Sequence, residues 1–485
     1  MGAVVGVINK KGENAATTAI EMMHELTHRG NGGYGVATYE CIKTATTFEE
    51  VKNTNTCNLD VVIGHNLSCI MPRDKPQPVQ GDGFTIIFEG RLFPAPSIPG
   101  EHESEKIAKK LGSKPLRNAE KIFEKGGAYV FAIAEKNRIL AGRDVFGTVP
   151  LYYGENQTFC AVASERKALW KIGIKDVQAF PPGKLAVISN QGFAFHKMSQ
   201  LHVPPKEKID METASQALHL LLMETNRKQF SDLDSVAVAF SGGVDSSVVA
   251  ALARDIGLDV QLISVGLENQ PEVMFTEQAA EVLGLPIHVQ TYTVKKLEET
   301  LPKVLWLTEE SNPVSACIAV PFYWLAETAS KLDQPVLLAG QGADEIFGGY
   351  QRYLTDYKNS GEKGVDEKLL YDVENAYSAN FQRDNQVCAY HGVELRLPFI
   401  NKDVIQFGLR LPLQFKIKSP EDNLRKHILR KLAHDKFEVS KLLSDKPKKA
   451  VQYTTGVTKA LQRIAKQNNM TLREYVDNAF KKVHC

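Results

Sequence analysis

The sequence predicts two domains of different class: a layered antiparallel α+β half, then an α/β half built on a doubly wound parallel sheet with a helical C-terminal part. Three observations predict it. A chain of 485 residues is too long for one ordinary core. The apolar rhythm changes near residue 200, from short β-type runs separated by turns to helical stretches alternating with apolar strands. Finally, Val236-Ala237-Val238-Ala239-Phe240-Ser241-Gly242-Gly243-Val244-Asp245-Ser246-Ser247 sends a buried strand directly into a Gly-Ser turn and a helix.

In the first half, Val4 to Asn9, Tyr34 to Glu40, Val61 to Ile70, Phe84 to Phe93, Tyr129 to Glu135 and Leu185 to Ser189 read as strands of layered antiparallel sheets. A helix over roughly Asn14 to Arg29, with Ile20, Met23, Leu26 and Thr27 at helical spacing, covers a sheet face. The segment Leu201-His202-Val203-Pro204-Pro205-Lys206-Glu207-Lys208 combines prolines with charge and reads as a linker. The predicted organisation is therefore a domain over 1–200, a linker over 201–210 and a second domain over 211–485. In the latter, helices at Thr213 to Phe230 and Phe275 to Leu283 alternate with strands at Val236 to Phe240, Val260 to Val265 and Val336 to Ala339. Beyond about residue 360 the pattern is mostly helical.

Composition excludes several classes of function. With 43% apolar and 24% charged residues the chain reads as a globular protein, and its formal net charge of +1 gives no basic face for nucleic acid. No apolar run is long enough to span a bilayer, and the N-terminus lacks a secretory pattern; Gly6 stands where a myristoylation signal needs serine or threonine. A cytoplasmic enzyme is the expectation. The 7 cysteines include no C-x-x-C pair, so neither a disulfide framework nor a zinc site is expected.

The Ser-Gly-Gly turn is a phosphate site by its local physics. Adjacent glycines let successive N–H groups face one point, the following helix presents its positive end there, and three serines add hydroxyl donors. The lysine of a Walker loop is absent. Asp245, at the turn, is placed to hold magnesium against the phosphates. Read by itself, S-G-G also fits a plain strand-to-helix connection. The full S-G-G-V-D-S-S resembles the PP-loop ATP pyrophosphatases, in which the turn grips the pyrophosphate end of ATP while a substrate carboxylate attacks the α-phosphorus.

A second strand ends in a second glycine turn at Val336-Leu337-Leu338-Ala339-Gly340-Gln341-Gly342-Ala343-Asp344-Glu345-Ile346-Phe347-Gly348-Gly349-Tyr350. In a parallel sheet both turns emerge at the strands' carboxyl ends, so Asp344 and Glu345 can face the same nucleotide as Asp245 and share its magnesium. Alone, these two acids also suit a solvated helix N-terminus. Together the two motifs resemble the synthetase domain of the glutamine-dependent asparagine synthetases. His391-Gly392-Val393-Glu394-Leu395-Arg396-Leu397-Pro398-Phe399, Leu424-Arg425 and Lys446-Pro447-Lys448 resemble further elements of that family, so the likeness spans nearly the whole chain. It implies ATP and Mg2+ as cofactors. The nucleotide is assigned to Ser241, Gly242, Gly243, Asp245, Ser246, Ser247, Val265 and Gly340, the metal to Asp245, Asp344 and Glu345, and catalysis to Lys448, Asp344 and Gln341. Lys448 corresponds to a family lysine near the acyl-adenylate, where an ammonium stabilises charge on the transferring group.

The first half resembles the family's N-terminal glutaminase, an Ntn-type αββα sandwich, through His28-Arg29-Gly30, Gly64-His65, the run from Arg143 to Tyr153, Ser164 to Leu169 and Phe180-Pro181-Pro182-Gly183. Its chemistry departs from that pattern. Where the family has Met-Cys-Gly-Ile, this chain has Met1-Gly2-Ala3-Val4, without a thiol. The arginine expected after His65 is missing from His65-Asn66-Leu67-Ser68, and Glu89-Gly90-Arg91 stands in place of N-G-E. Glu89 would repel an oxyanion and Arg91 an ammonium. The expectation is a glutaminase-like domain without glutaminase activity.

The resulting expectation is an ATP-dependent carboxylate-amine ligase working through an acyl-adenylate, with aspartate and ammonia as the leading pair and no nucleic-acid or membrane partner; a homodimer stays open. Gln341 replaces the glutamate of the family's S-G-E-G-A-D-E and would orient the acceptor rather than take a proton. Cys317, among apolar residues, reads as packing. Three alternatives stay open: a β-lactam synthetase-like or other specialised amide-forming enzyme, an RNA-modifying PP-loop enzyme, and a nucleotide-binding pseudoenzyme.

Overall fold

The computed structural model describes residues 1–52, 59–98, 100–203, 205–206, 208–447 and 449–484. The chain divides into two units, Met1–Gln200 and Leu201–Cys485.

In the first unit, two antiparallel sheets of seven and six strands lie face to face, strand Val61–Leu67 of one touching Gly126–Glu135 of the other. Helix Ala16–His24 packs Ala16, Ala19, Ile20 and Met23 onto the outer face of the seven-stranded sheet, against Val5, Val7 and Val62. Helix Glu103–Leu111 does the same on the six-stranded sheet through Ile107, Ala108 and Leu111 against Phe88 and Phe131. The architecture is therefore αββα, as expected. Strands Ala3–Asn9 and Val61–Leu67 are buried at every residue because helices cover one face and the opposing sheet the other. That double burial is why they read as apolar runs rather than as alternation. The early helix is shorter than its apolar spacing suggested, ending at His24 and passing into a 3₁₀ turn at Thr27–Arg29. Cys41 is disulfide-bonded, with its partner outside the described residues. The cysteine spacing, with no C-x-x-C pair, gave no sign of it.

The second unit begins with the segment read as a linker. Its described residues form no helix or strand, yet they are tied down: Lys206 pairs with Asp366, and the His202 carbonyl accepts from Gln406 at 2.5 Å. Asp210 then accepts from the Thr213 N–H at 2.9 Å and starts helix Met211–Gln229. Five parallel strands follow in the spatial order Ile287–Tyr292, Asp259–Leu267, Ser235–Ala239, Val336–Leu338, Glu394–Arg396. By chain order this is 3-2-1-4-5, a doubly wound sheet, and right-handed crossovers put its connecting helices on opposite faces either side of the first strand. The topological switch point lies between Ser235–Ala239 and Val336–Leu338, which carry the two glycine turns. From Arg352 onward the described chain is mostly helical. Among the described residues no helix is long and apolar enough to cross a membrane.

Candidate functional site

Val236, Ala237 and Val238 are buried in the centre of the sheet, and the strand ends in a turn in which Gly242 has φ +64. Helix Val244–Ile256 starts from Gly243 with no side-chain cap, so its first N–H groups stay available to an anion. Ser246 Oγ donates to the Gly243 carbonyl at 3.0 Å and lies 3.3 Å from both the Ser241 N–H and Ser241 Oγ, which fixes the turn.

The neighbouring strand brings the second turn close to the first. A Cβ on Gly340 would stand 2.9 Å from Asp245 Cβ, so only glycine allows the two turns to pack this tightly. The result is a convergence of carboxylates on one cation. Lys426 Nζ lies 2.7 Å from each oxygen of Asp245 and 2.5 Å from Asp344 Oδ1, with the lysine 1% exposed. Two hard oxygen donors aimed at one point suit a magnesium ion, which takes one or two carboxylates and completes its shell with phosphate and water.

A cavity opens at these strand ends. Of the sequence-predicted residues, Ser241, Asp245, Ser246, Val265, Gly340, Gln341 and Asp344 line it. Gly242 and Gly243 shape the turn behind it. Ser247 does not reach the cavity: it is fully buried in the helix, and its hydroxyl has no hydrogen-bond partner. Glu345 does not join Asp245 and Asp344 either. Its Oε1 accepts from Tyr350 at 2.6 Å and Asn380 at 2.7 Å, and burial, then the charge of Asp344, pushes its carboxyl above the usual range. Among the described residues no group of three His, Cys, Asp or Glu side chains is placed to hold a metal. The reason is local: adjacent helical residues 344 and 345 project about 100° apart, so they do not face the same point. Lys448 lies outside the described residues. Leu424-Arg425 is structural, with Arg425 Nε donating to the Gly349 carbonyl at 3.0 Å and Nη1 to Gln351 at 2.7 Å.

Gln341 is held by a residue that sequence reading did not single out. Its Nε2 donates to Asp384 Oδ2 at 2.5 Å, and Arg383 Nε donates to Asp384 Oδ1 at 2.8 Å. Burial is the main influence on Asp384 and raises its carboxyl, the Arg383 charge offsetting only part. Arg383, 4% exposed, is part of the cavity wall, and its Nη2 has no hydrogen-bond partner. Lys426 carried no sequence signal, since Arg425-Lys426-His427 reads as a solvated charged stretch. Cys317 is buried in the apolar core of this unit, as expected of a packing residue.

In the first unit, the residues expected around a glutaminase site are engaged in contacts within the fold. Glu89 accepts from the Gly2 N–H at 2.7 Å and meets His65 Nε2 at 3.0 Å. Burial alone would raise the Glu89 carboxyl, but the His65 hydrogen bond and charge hold it below the ordinary value. Arg91 forms a two-pronged pair with Asp74 at 2.5 and 2.9 Å. A Cβ at Gly2 would run into the Asn66 carbonyl and stand 2.8 Å from Glu89 Oε2. Arg29 and His28 serve the scaffold, Arg29 Nη1 and His28 Nε2 both reaching Glu165 at 3.0 Å.

Comparison with known proteins gives a consistent picture. The asparagine synthase family model matches residues 217–363 and 355–482, over half of the chain, and a glutamine amidotransferase domain model matches 65–171. A Methanocaldococcus jannaschii protein named "Putative asparagine synthetase 1", glutamine-hydrolyzing, is 28% identical over 540 residues, covering 100% of this chain and 99% of that one. The human glutamine-hydrolyzing asparagine synthetase is 24% identical over 476 residues, covering 89% of this chain and 82% of its own. The rat enzyme of the same name is 23% identical over 458 residues, with 85% and 79% covered.

Proposed function

We propose, from the premise that this chain belongs to the asparagine synthase family, that it is an ammonia-dependent, AMP-forming amide ligase acting on aspartate, without glutaminase activity. The family and its named members make the chain an ATP-dependent amide-forming ligase. The observation that carries the reading is the convergence of Asp245 and Asp344, from turns of adjacent strands, on a single cation position beside an uncapped helix N-terminus. That arrangement is suited to a nucleotide triphosphate with its metal.

In this reading the Ser241–Ser246 turn and the helix N–H groups bind the pyrophosphate end of ATP. The substrate carboxylate attacks the α-phosphorus, and pyrophosphate leaves with the bond's electron pair. Ammonia then adds to the acyl carbon, the carbon–oxygen bond to AMP breaks with its electron pair going to AMP, and nitrogen loses a proton to solvent, giving the amide. Asp245 and Asp344 would hold Mg2+, which when bound withdraws charge from the phosphate oxygens. Val265 and Gly340 flank the nucleotide on the cavity wall. Lys448 takes the role that the family resemblance implies, stabilising charge on the transferring group. Gln341, held by Asp384, orients the acceptor and offers no basic group, which suits a nucleophile that arrives as neutral ammonia.

The lack of glutaminase activity is supported by the first unit. No thiol stands at position 2, and Glu89 and Arg91 are engaged within the fold. The test is pyrophosphate release with ATP, magnesium and aspartate, adding ammonia or glutamine separately and identifying products by mass spectrometry. Asparagine from ammonia alone is the expected result. Equal asparagine yield from glutamine would overturn the ammonia reading, and a different amide product would favour a specialised ligase.

A further inference from the structure

Lys426 is a buried cation standing where the metal would be expected. Its Nζ lies 2.7 Å from both Asp245 oxygens and 2.5 Å from Asp344 Oδ1, and the residue is 1% exposed. The contacts to Asp245 are charge-assisted hydrogen bonds, and the one to Asp344 is a close ion pair. A magnesium ion bound by both carboxylates would sit about 2.1 Å from each, close to the point that the ammonium now fills. Ammonium and divalent ion cannot share that point, and side by side in a buried site they repel.

The protein also offers little to make up for this. Among the described residues no third His, Cys, Asp or Glu completes a metal cluster there, and Glu345 is turned to Tyr350 and Asn380. Magnesium gives up its waters reluctantly and is held mainly where phosphate oxygens join the carboxylates.

We infer that Lys426 is a placeholder cation: it keeps Asp245 and Asp344 oriented while preventing them from holding a metal alone, so that the divalent ion enters only together with ATP. The triphosphate brings several negative charges and both kinds of contact change at once. The metal takes carboxylate and phosphate oxygens, and the lysine ammonium is released to pair with phosphate, a contact it makes well as a compact charge. Lys426 is thus a positioning residue whose partner changes on nucleotide binding. This inference rests on the nucleotide site proposed above but not on the identity of the acid or the amine.

The test is Mn2+ binding, followed by the electron paramagnetic resonance signal of the free ion, because Mn2+ accepts the same oxygen donors as magnesium. Without nucleotide, wild-type protein is expected to bind no Mn2+ below about millimolar concentration, the range of a weak two-carboxylate site. Lys426→Met is expected to bind Mn2+ without nucleotide at least tenfold more tightly, and adding Asp344→Asn to that variant is expected to abolish the gain. Lys426→Arg, which keeps a cation between the carboxylates, should behave as wild type. Tight nucleotide-free Mn2+ binding by the wild type would overturn the inference even if no variant folds, as would a folded Lys426→Met protein no better than wild type. Binding of the non-hydrolysable α,β-methylene ATP is measured in parallel on the wild type. Its failure with Mn2+ present would overturn the nucleotide-site reading, and with it the concerted entry inferred here. Tight nucleotide-free Mn2+ binding alongside normal analogue binding would overturn this inference alone.

Discussion

The amide of Gln341 donates to the Asp384 carboxylate at 2.5 Å, and Asp384 is completely buried. The pair depends on one partner being a donor. Gln341→Glu places a second carboxylate against the first, and two such groups at contact distance cannot both ionise. The variant must share a proton across the pair, so the protonated form of the folded state is favoured. Its stability relative to wild type should fall as pH rises and recover as pH drops toward the ordinary carboxylate range. Thermal melts of both proteins between pH 5 and 8 check this, with a deficit of about 1–3 kcal/mol expected at pH 8. A deficit independent of pH would mean that the pair is not what holds residue 341.

Gly340→Ala tests the close packing of the two turns. The added Cβ would lie 2.9 Å from Asp245 Cβ, nearer than real side-chain carbons approach. Relief requires the turns to separate, which moves Asp245 relative to Asp344. A loss of about 1–3 kcal/mol in urea unfolding is expected, as for other overpacked sites, with weaker nucleotide binding in the variant that still folds. Unchanged affinity for an ATP analogue would show that the spacing of the turns does not matter to the nucleotide.

Both turns were legible because a glycine turn after an apolar run is a local signal, written in consecutive residues. Lys426 was not, because it lies 181 positions from Asp245 and its charged neighbours suggest solvent. The strand Glu394–Arg396 escaped notice for a related reason. It is buried yet charged, and the polarity of Arg396 is balanced by a contact remote in sequence, with Asp232 at 2.7 Å, as well as by Glu394 within the strand at 2.7 Å. The edge strand Ile287–Tyr292 is only partly buried and alternates apolar with polar residues, so no apolar run announces it. In the first unit the doubly covered strands were visible, whereas Ile42–Ala45, with no fully buried residue, was not. The separation of Glu345 from Asp344 follows from helical geometry and could have been anticipated.

Restoring a cysteine at position 2 should not restore a glutaminase. In Gly2→Cys the new Cβ runs into the Asn66 carbonyl and crowds Glu89, which already accepts from the backbone N–H of residue 2. The variant is expected to melt below wild type and to release no glutamate from glutamine above background. Measurable glutamate release would show that the strand ends can open around a side chain, and that the missing thiol alone silences the domain.

The Asp74–Arg91 pair gives the first unit an acid-sensitive contribution whose sign can be worked out. Burial would raise the Asp74 carboxyl, but the hydrogen bond and charge of Arg91 outweigh it and hold the group at about 2, against 3.8 for the ordinary carboxyl. A depressed carboxyl stabilises the fold above its unfolded value and loses that stabilisation as pH falls through its folded value. The window is therefore pH 4 down to 2, and the amount is about 2 kcal/mol. Because other acids titrate in the same range, the wild type must be compared with Arg91→Met. Removing the guanidinium leaves Asp74 buried with the backbone N–H groups of Ile70 and Met71 at 2.9 and 2.8 Å and His102 Nε2 at 4.0 Å, so its carboxyl rises and its protonation costs less stability. Urea unfolding of the full chain is expected to show the variant less stable at pH 6, with the gap narrowing by about 2 kcal/mol at pH 2. A gap of constant size across that range would mean that Arg91 acts by packing rather than by charge.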